Sequence, residues 1–293
     1  MLRRLSWDPD GRDWPNRAHS RFVSASGLCW HLQRMGDGPD LLLIHGTAAA
    51  THSWGGLAPL LARRFRVLTL DLPGHGFSGP VESYRQSLPG IARALDGLLG
   101  VLDVRPRLVV GHSAGAAILA RMCLDGRIAP QALISLNGAL RPFAGAAGRL
   151  YSPMAKLLAQ GDWMPRLIAR QAARPGKIER LIDQTGSRLG PDGIALYRRL
   201  VCSPAHVAAT LAMVARWDLA PLLRDLPRLE PELFLIAADK DQSVPPAEAA
   251  LTRAQQVPSA TLIPLPDLGH LAHEERPDEV AALIERIADQ VGL

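Results

Sequence analysis

Gly111-His112-Ser113-Ala114-Gly115 sets a serine among small residues, directly after the apolar run Leu108-Val109-Val110 and before Ala116-Ala117-Ile118-Leu119. A G-x-S-x-G turn between a strand and a helix strains the serine backbone and lifts its hydroxyl above the carboxyl ends of the strands. The residues two places away must then be tiny, and here both are glycine. A hydroxyl alone is a poor nucleophile, so such a turn calls for a base and for a third group that orients the base. The chemistry expected is acyl transfer through Ser113.

The chain order that goes with this turn is serine, then acid, then histidine. His270, in PDLGHLAHEERP, follows the last apolar run and precedes the last helical pattern, so it is the candidate base. Asp239 and Asp241, in AADKDQSVPP, both qualify as the acid. Asp241 leads because it stands clear of the strand end; it would hold the imidazole tautomer and stabilise the imidazolium without taking the proton. Asp267, three residues before His270, suits a turn cap instead. His273 reads as an exposed or capping residue, since no third ligand and no helical His-Glu motif make a metal site with His270. His112 points away from the serine, His45 reads as a structural hydrogen-bonder, His52 and His75 belong to loops, and His19, His31 and His206 have no assigned role.

An oxyanion needs two backbone donors, one after the serine and one from the loop that follows the third strand. The amides of Ala114 and of Thr47, in LLLIHGTAAATHSW, are the candidates, and the Thr47 side chain could add a hydrogen bond. Trp54, Asn137, Trp163 and Trp217 are the candidate substrate contacts.

These groups need a scaffold. RFVSASG and LCWHLQRMG read as a strand pair turning at Ser26 and Gly27. LLLIHG, RVLTLD, RLVVGH, ALISLN, ELFLIA and ATLIPL are short continuous apolar runs, as expected of parallel strands covered on both faces. Helical patterns alternate with them, ending in RPDEVAALIERIADQ, where Pro277, Asp278 and Glu279 suit a helix start. The expected fold is α/β: a mostly parallel sheet covered by helices on both faces. The alternation fails between Asn137 and Glu232, where the pattern is helical and broken by Pro142, Pro153, Pro165, Pro175, Pro191, Pro204 and Pro221. About ninety residues are too many for an ordinary connection. The expectation is a helical cap over 141–231, inserted after the sixth strand into a core of 1–140 and 232–293.

The chain has 293 residues and a net charge of +5, with a pI near 9.5. Residues 141–231 hold 14 Lys and Arg against 7 Asp and Glu, so the positive excess belongs to the cap. There, Phe143, Tyr151, Met154, Trp163, Met164, Tyr197, Met213 and Trp217 supply apolar surface, and the surplus Arg and Lys would meet carboxylates of a bulky substrate. No basic run exceeds two residues, which argues against nucleic acid. DLPGHGFS lacks the G-x-G-x-x-G spacing, so a nucleotide cofactor is not expected, and no carboxylate cluster suits magnesium. No cofactor and no metal are expected. Cys29, Cys123 and Cys202 lack CxxC spacing and fit a reducing compartment. No apolar signal core follows the basic start, and the run Leu108–Ala120 is too short to span a bilayer. The expected location is cytoplasmic.

HGT, DLPGHGFS, GHSAG, DQSVPP and LGH, in this order, resemble the α/β-hydrolase fold superfamily over essentially the whole chain. The resemblance implies that fold, Ser113, Asp241 and His270 as a triad, and the Thr47 and Ala114 amides as the oxyanion hole. One departure bears on the hole: many members carry proline two places after the HG pair, whereas Thr47 is followed by Ala48, Ala49 and Ala50. A narrower set, DGRDWPNRAHSRFV, WHLQRMG, HGTAAATHSW, GHSAGAAILARMCLDG, NGAL, MVARWDL and LGHLAHEERP, resembles the BchO-type magnesium-chelatase accessory proteins of bacteriochlorophyll synthesis. That resemblance implies a pathway more than a reaction. It suggests a tetrapyrrole as substrate, magnesium chelatase or another pigment-synthesis enzyme as partner, and contact of the basic cap with the photosynthetic membrane. Two activities follow: a serine hydrolase acting on an ester or thioester, or an accessory protein that presents a porphyrin without catalysis.

Overall fold

The structure is a computed structural model that describes residues 2–80, 82–142 and 161–293. Eight strands form one sheet: β1 (Ser20–Ala25), β2 (Leu28–Met35), β3 (Asp40–Ile44), β4 (Arg66–Leu70), β5 (Leu108–His112), β6 (Ala132–Leu136), β7 (Glu232–Ala238) and β8 (Thr261–Leu265). β1 and β2 are the expected strand pair, and each of the other six corresponds to one of the apolar runs in the sequence. Their order is β1-β2-β4-β3-β5-β6-β7-β8. β1 and β2 pair antiparallel through a turn at Ser26 (φ 54°) and Gly27 (φ 79°), and β2 pairs antiparallel with β4. All later pairings are parallel.

The apolar runs are continuous because both faces of the sheet are covered. Successive side chains of a strand point to opposite faces, so β3 sends Leu42 and Ile44 into one core and Leu41 and Leu43 into another. The helices Leu88–Leu102 and Ala114–Leu124 cover the first face; Leu57–Leu61 and Pro277–Gln290 cover the second. Ser87 caps the helix Leu88–Leu102 by accepting from Gly90 N at 3.3 Å.

Between β6 and β7 the described residues carry no strand. Their helices are Trp163–Ala172, Lys177–Asp183, Pro191–Val201, Pro204–Ala215 and Ala220–Asp225. Pro191, Pro204 and Pro221 stand in the first turn of their helices, where a missing N–H costs nothing. Phe143, Tyr151, Pro153 and Met154 lie outside the described residues.

No pattern in the first twenty residues assigns them a structural role, yet they have one. Trp7 and Trp14 pack on Phe77 beside Leu200, and Asp13 holds Arg199 through two hydrogen bonds of 2.7 and 2.8 Å. This leading segment braces the helix Pro191–Val201 against the loop that follows β4.

The chain runs outward from β3 to β4 and returns to β5 on the other side of β3. Ligands of open α/β sheets bind at such a reversal, beyond the carboxyl ends of the strands. The loops after β3 and β5 carry Thr47 and Ser113.

Candidate active site

Ser113 links β5 to the helix Ala114–Leu124 with φ 51° and ψ −118°, a conformation that L-residues rarely adopt. A side chain at Gly111 would collide with the backbone of Ala116, and one at Gly115 with the backbone of Ile44 and His45. The strain is therefore locked in by close packing on both sides of the serine. Ser113 N–H donates to Leu136 O at 3.2 Å, and Ser113 O accepts from Ala116 N and Ala139 N.

His270 lies on the loop after β8. Its Nδ1 is 2.8 Å from Asp241 Oδ2, and both side chains are buried. The other Asp241 oxygen accepts from Ser243 N and Val244 N, each at 2.8 Å. These two amides fix the carboxylate, and the carboxylate fixes the ring, leaving Nε2 free to face a reacting group. Asp239 is exposed, and Asp267 (φ 62°) forms an exposed ion pair with Lys240 at 2.7 Å, so neither reaches the histidine.

Ser113, His270, Thr47 and Ala114 line one cavity of about 470 Å³, a size that suits a small-molecule site. Among the described residues, no group bonds to the backbone N–H of Thr47 or of Ala114, and no hydrogen bond closes between Ser113 Oγ and His270 Nε2. Such bonds are commonly loose before substrate enters. Trp217 and Tyr197 also line the cavity, with Leu181, Val201 and Leu219.

The remaining candidate contacts lie elsewhere. Trp54 is fully buried in the core and packs on His273 at 4.6 Å. Trp163 is 61% exposed and does not line the cavity. Asn137 (φ 47°) spends its polar atoms on the scaffold: Oδ1 accepts from Ala238 N at 2.8 Å, and Nδ2 donates to Gly269 O and His270 O at 3.1 and 3.0 Å. It positions the histidine loop instead of meeting a ligand. Met213 is buried in the core. Among the described residues no Arg or Lys lines the cavity, and the acid Asp218 does. The described cations of this segment therefore lie outside the cavity lining, while Arg149 and Lys156 fall outside the described residues.

Histidines correct the sequence reading most. His273 is not exposed: it is fully buried, its Nε2 is 2.9 Å from Ser53 Oγ, and burial followed by the neighbouring His270 lowers its pKa to about 3. His112 Nε2 donates to His270 O at 2.9 Å, and burial holds the ring neutral, with a pKa well below the usual value. His45 is the structural hydrogen-bonder expected, donating to Gly46 O at 2.7 Å and accepting from Leu72 N at 3.0 Å. His206 ties the helix Pro204–Ala215 to two site loops, and burial lowers its pKa to about 4.

Thr185 and Ser187 were also missed. Thr185 O accepts from His270 N and Gln242 N, both at 3.2 Å, and so joins the histidine and acid loops. Buried Ser187 Oγ accepts from Leu271 N at 2.7 Å. His112 and Asn137 abut the ends of β5 and β6, a placement that could have marked them. Nothing in the pattern around Thr185 or Ser187 distinguishes them.

Among the described residues no cluster of His, Cys, Asp or Glu could hold a metal ion, and no helix is long and apolar enough to cross a membrane. Residues 41–283 match the model of the alpha/beta hydrolase family. The magnesium-chelatase 30 kDa subunit of Rhodobacter capsulatus is 38% identical over 274 residues, 93% of this chain and 95% of that protein. A pimeloyl-[acyl-carrier protein] methyl ester esterase of Nitrosospira multiformis is 28% identical over 88% of this chain and 97% of its own. Among solved structures, a thermophilic esterase from Thermogutta terrifontis aligns with a TM-score of 0.72 at 23% identity, covering 94% of this chain and 99% of that one. The Cif epoxide hydrolase of Acinetobacter nosocomialis aligns at 0.74 with 19% identity, covering 91% and 88%. Likeness at that level establishes the fold and leaves the chemistry to the residues.

Proposed function

Since the chain belongs to the alpha/beta hydrolase family, we propose that it is a serine hydrolase that cleaves an ester or thioester in or beside magnesium-tetrapyrrole synthesis. The observation that carries this reading is the Asp241–His270 pair at 2.8 Å opening on the cavity that Ser113 lines. In the reaction, Ser113 Oγ attacks the substrate carbonyl and its proton passes to His270 Nε2. Asp241 stabilises the imidazolium at Nδ1. The tetrahedral oxyanion sits between the N–H groups of Thr47 and Ala114, each such donor being worth about 2.7–4 kcal/mol in related chemistry. As the intermediate collapses, His270 returns the proton to the departing alcohol or thiol; a water activated by the same imidazole then releases the acid and frees Ser113.

Residues 141–231 are read as a cap over a core of 1–140 and 232–293, since Leu181, Tyr197, Val201, Trp217 and Leu219 line the cavity from that segment. The pigment pathway enters through the Rhodobacter capsulatus relative, whose name also supports association with magnesium chelatase. The esterase relative supports the reaction class. A cytoplasmic location with peripheral contact to an anionic membrane fits the helix Trp163–Ala172. That helix buries Pro165, Ala169 and Ala172 and turns Trp163, Leu167, Arg166 and Arg170 outward.

The test is hydrolysis of short p-nitrophenyl esters by the wild type and by Ser113→Ala. Turnover should fall by about 10⁶ in the variant. A variant as active as the wild type would refute the assignment. The name of the same relative favours a second reading, a non-catalytic subunit that presents a porphyrin. Under it, no ester is turned over by the wild type, and porphyrin titration gives the same affinity with Ser113→Ala.

A further inference from the structure

The loop after β3 makes a tight turn at Gly46-Thr47-Ala48-Ala49, closed by Ala49 N–H donating to Gly46 O at 3.3 Å. Ala48 holds the third position with φ 64°, where glycine would be at ease and a Cβ costs on the order of 1–2 kcal/mol. The turn sets the direction of the Thr47 N–H and yet contains a residue that resists its shape. Something outside the turn must hold it.

That group is a side chain of the helix Pro204–Ala215. Gly76 N–H donates to His206 Nδ1 at 3.1 Å, and His206 Nε2 lies 3.1 Å from Ala48 O. An amide N–H can only donate and a carbonyl can only accept, so the proton sits on Nε2 and is given to Ala48. The ring is buried beside His75, and a neutral imidazole is the only form that makes both bonds.

Resting on the hydrolase reading above, we propose that His206 is a positioning residue: its Nε2–H clasps Ala48 O, keeps the strained turn in place and so aims the Thr47 N–H at the oxyanion. The clasp couples the helical segment between β6 and β7 to the site. A shift of the helix Pro204–Ala215 moves the acceptor, and the oxyanion donor goes with it.

Two conservative variants separate this role from simple support. In His206→Gln the side-chain amide nitrogen takes the place of Nε2 and keeps the Ala48 bond while losing the one from Gly76. In His206→Asn the side-chain oxygen takes the place of Nδ1 and keeps the Gly76 bond while losing the one to Ala48. Each keeps one hydrogen bond of two, so a purely structural histidine makes the two variants equal. We expect p-nitrophenyl butyrate hydrolysis to show kcat within about threefold of wild type for His206→Gln. For His206→Asn, kcat should fall by about 10- to 100-fold with KM within about twofold, a loss bounded by the 10²–10³ known for removing an oxyanion donor. Melting temperatures of the two variants should agree. Equal kcat for the two, whether both reduced or both normal, would overturn the inference. A wild type that fails to hydrolyse the ester would remove the hydrolase reading and this inference with it.

Discussion

Ser113, His270 and Asp241 differ in how they are held. The serine is fixed by backbone packing around Gly111 and Gly115, the histidine by hydrogen bonds from three directions: Asp241 at Nδ1, Thr185 O at its amide, and His112 and Asn137 at its carbonyl. The acid is fixed by two amides of its own turn. Two aspartates competed for that role in the sequence, and the turn favours Asp241, since Asp239 is carried outward as Asp241 is carried in. Asp241→Asn is expected to lower kcat by about 10⁴ by favouring the wrong tautomer of His270, with Asp239→Asn close to wild type. Steady-state kinetics on both decides it, and the reverse ranking would mean that Asp239 is the acid.

Strands β3 to β8 were legible as continuous apolar runs, the pattern left by a sheet covered on both faces, and β1 and β2 by the turn at Ser26 and Gly27 between them. The strained turn at Ser113 was legible because its geometry tolerates so few residues. The supporting contacts were not: His206, Thr185 and Ser187 act across long sequence separations, through single side chains or a backbone carbonyl, and no periodicity marks them. Trp54 and Trp163 were misplaced because an aromatic in a sequence looks the same in a core, on a surface or in a pocket. At the scale of one element, the helix Trp163–Ala172 carries a separate prediction. Trp163 (61% exposed) and Leu167 (41% exposed) lie on the face that also presents Arg166 and Arg170. Each well-placed cation near an anionic bilayer is worth about 1 kcal/mol. The protein should sediment with vesicles of phosphatidylcholine and phosphatidylglycerol at low salt, and less with pure phosphatidylcholine. Trp163→Ala combined with Arg166→Ser and Arg170→Ser should abolish the difference. No sedimentation at low salt would exclude the contact.

Across the whole molecule, buried histidines set the response to acid. His45, His52, His75, His112, His206 and His273 are all buried, and burial lowers the pKa of each, to about 3 for His52 and about 4 for His206. The unfolded chain takes up protons at these residues near pH 6.5 and the folded chain does not. Their contribution is thus full above pH 6.5 and is lost as the pH falls toward the folded values, by about 1.4 kcal/mol per pH unit for each group. Glu274 runs the other way. Burial raises its pKa to about 7, against the hydrogen bonds from Ser53 and Tyr197, so its contribution is full below pH 4.5 and is lost as the pH rises through 7. Stability should peak near neutrality and fall steeply between pH 6.5 and 4, as denaturant unfolding at a series of pH values would show. A flat profile over that range would contradict the buried, neutral histidines.

The claim that joins these scales is that Ser113 is an activated nucleophile, and it can be tested without knowing the substrate. The purified protein is treated with a fluorophosphonate, the adduct is mapped by mass spectrometry, and His270→Ala is run beside it. The account predicts an adduct on Ser113 that is lost in His270→Ala. A folded wild type that remains unlabelled at Ser113 would contradict it.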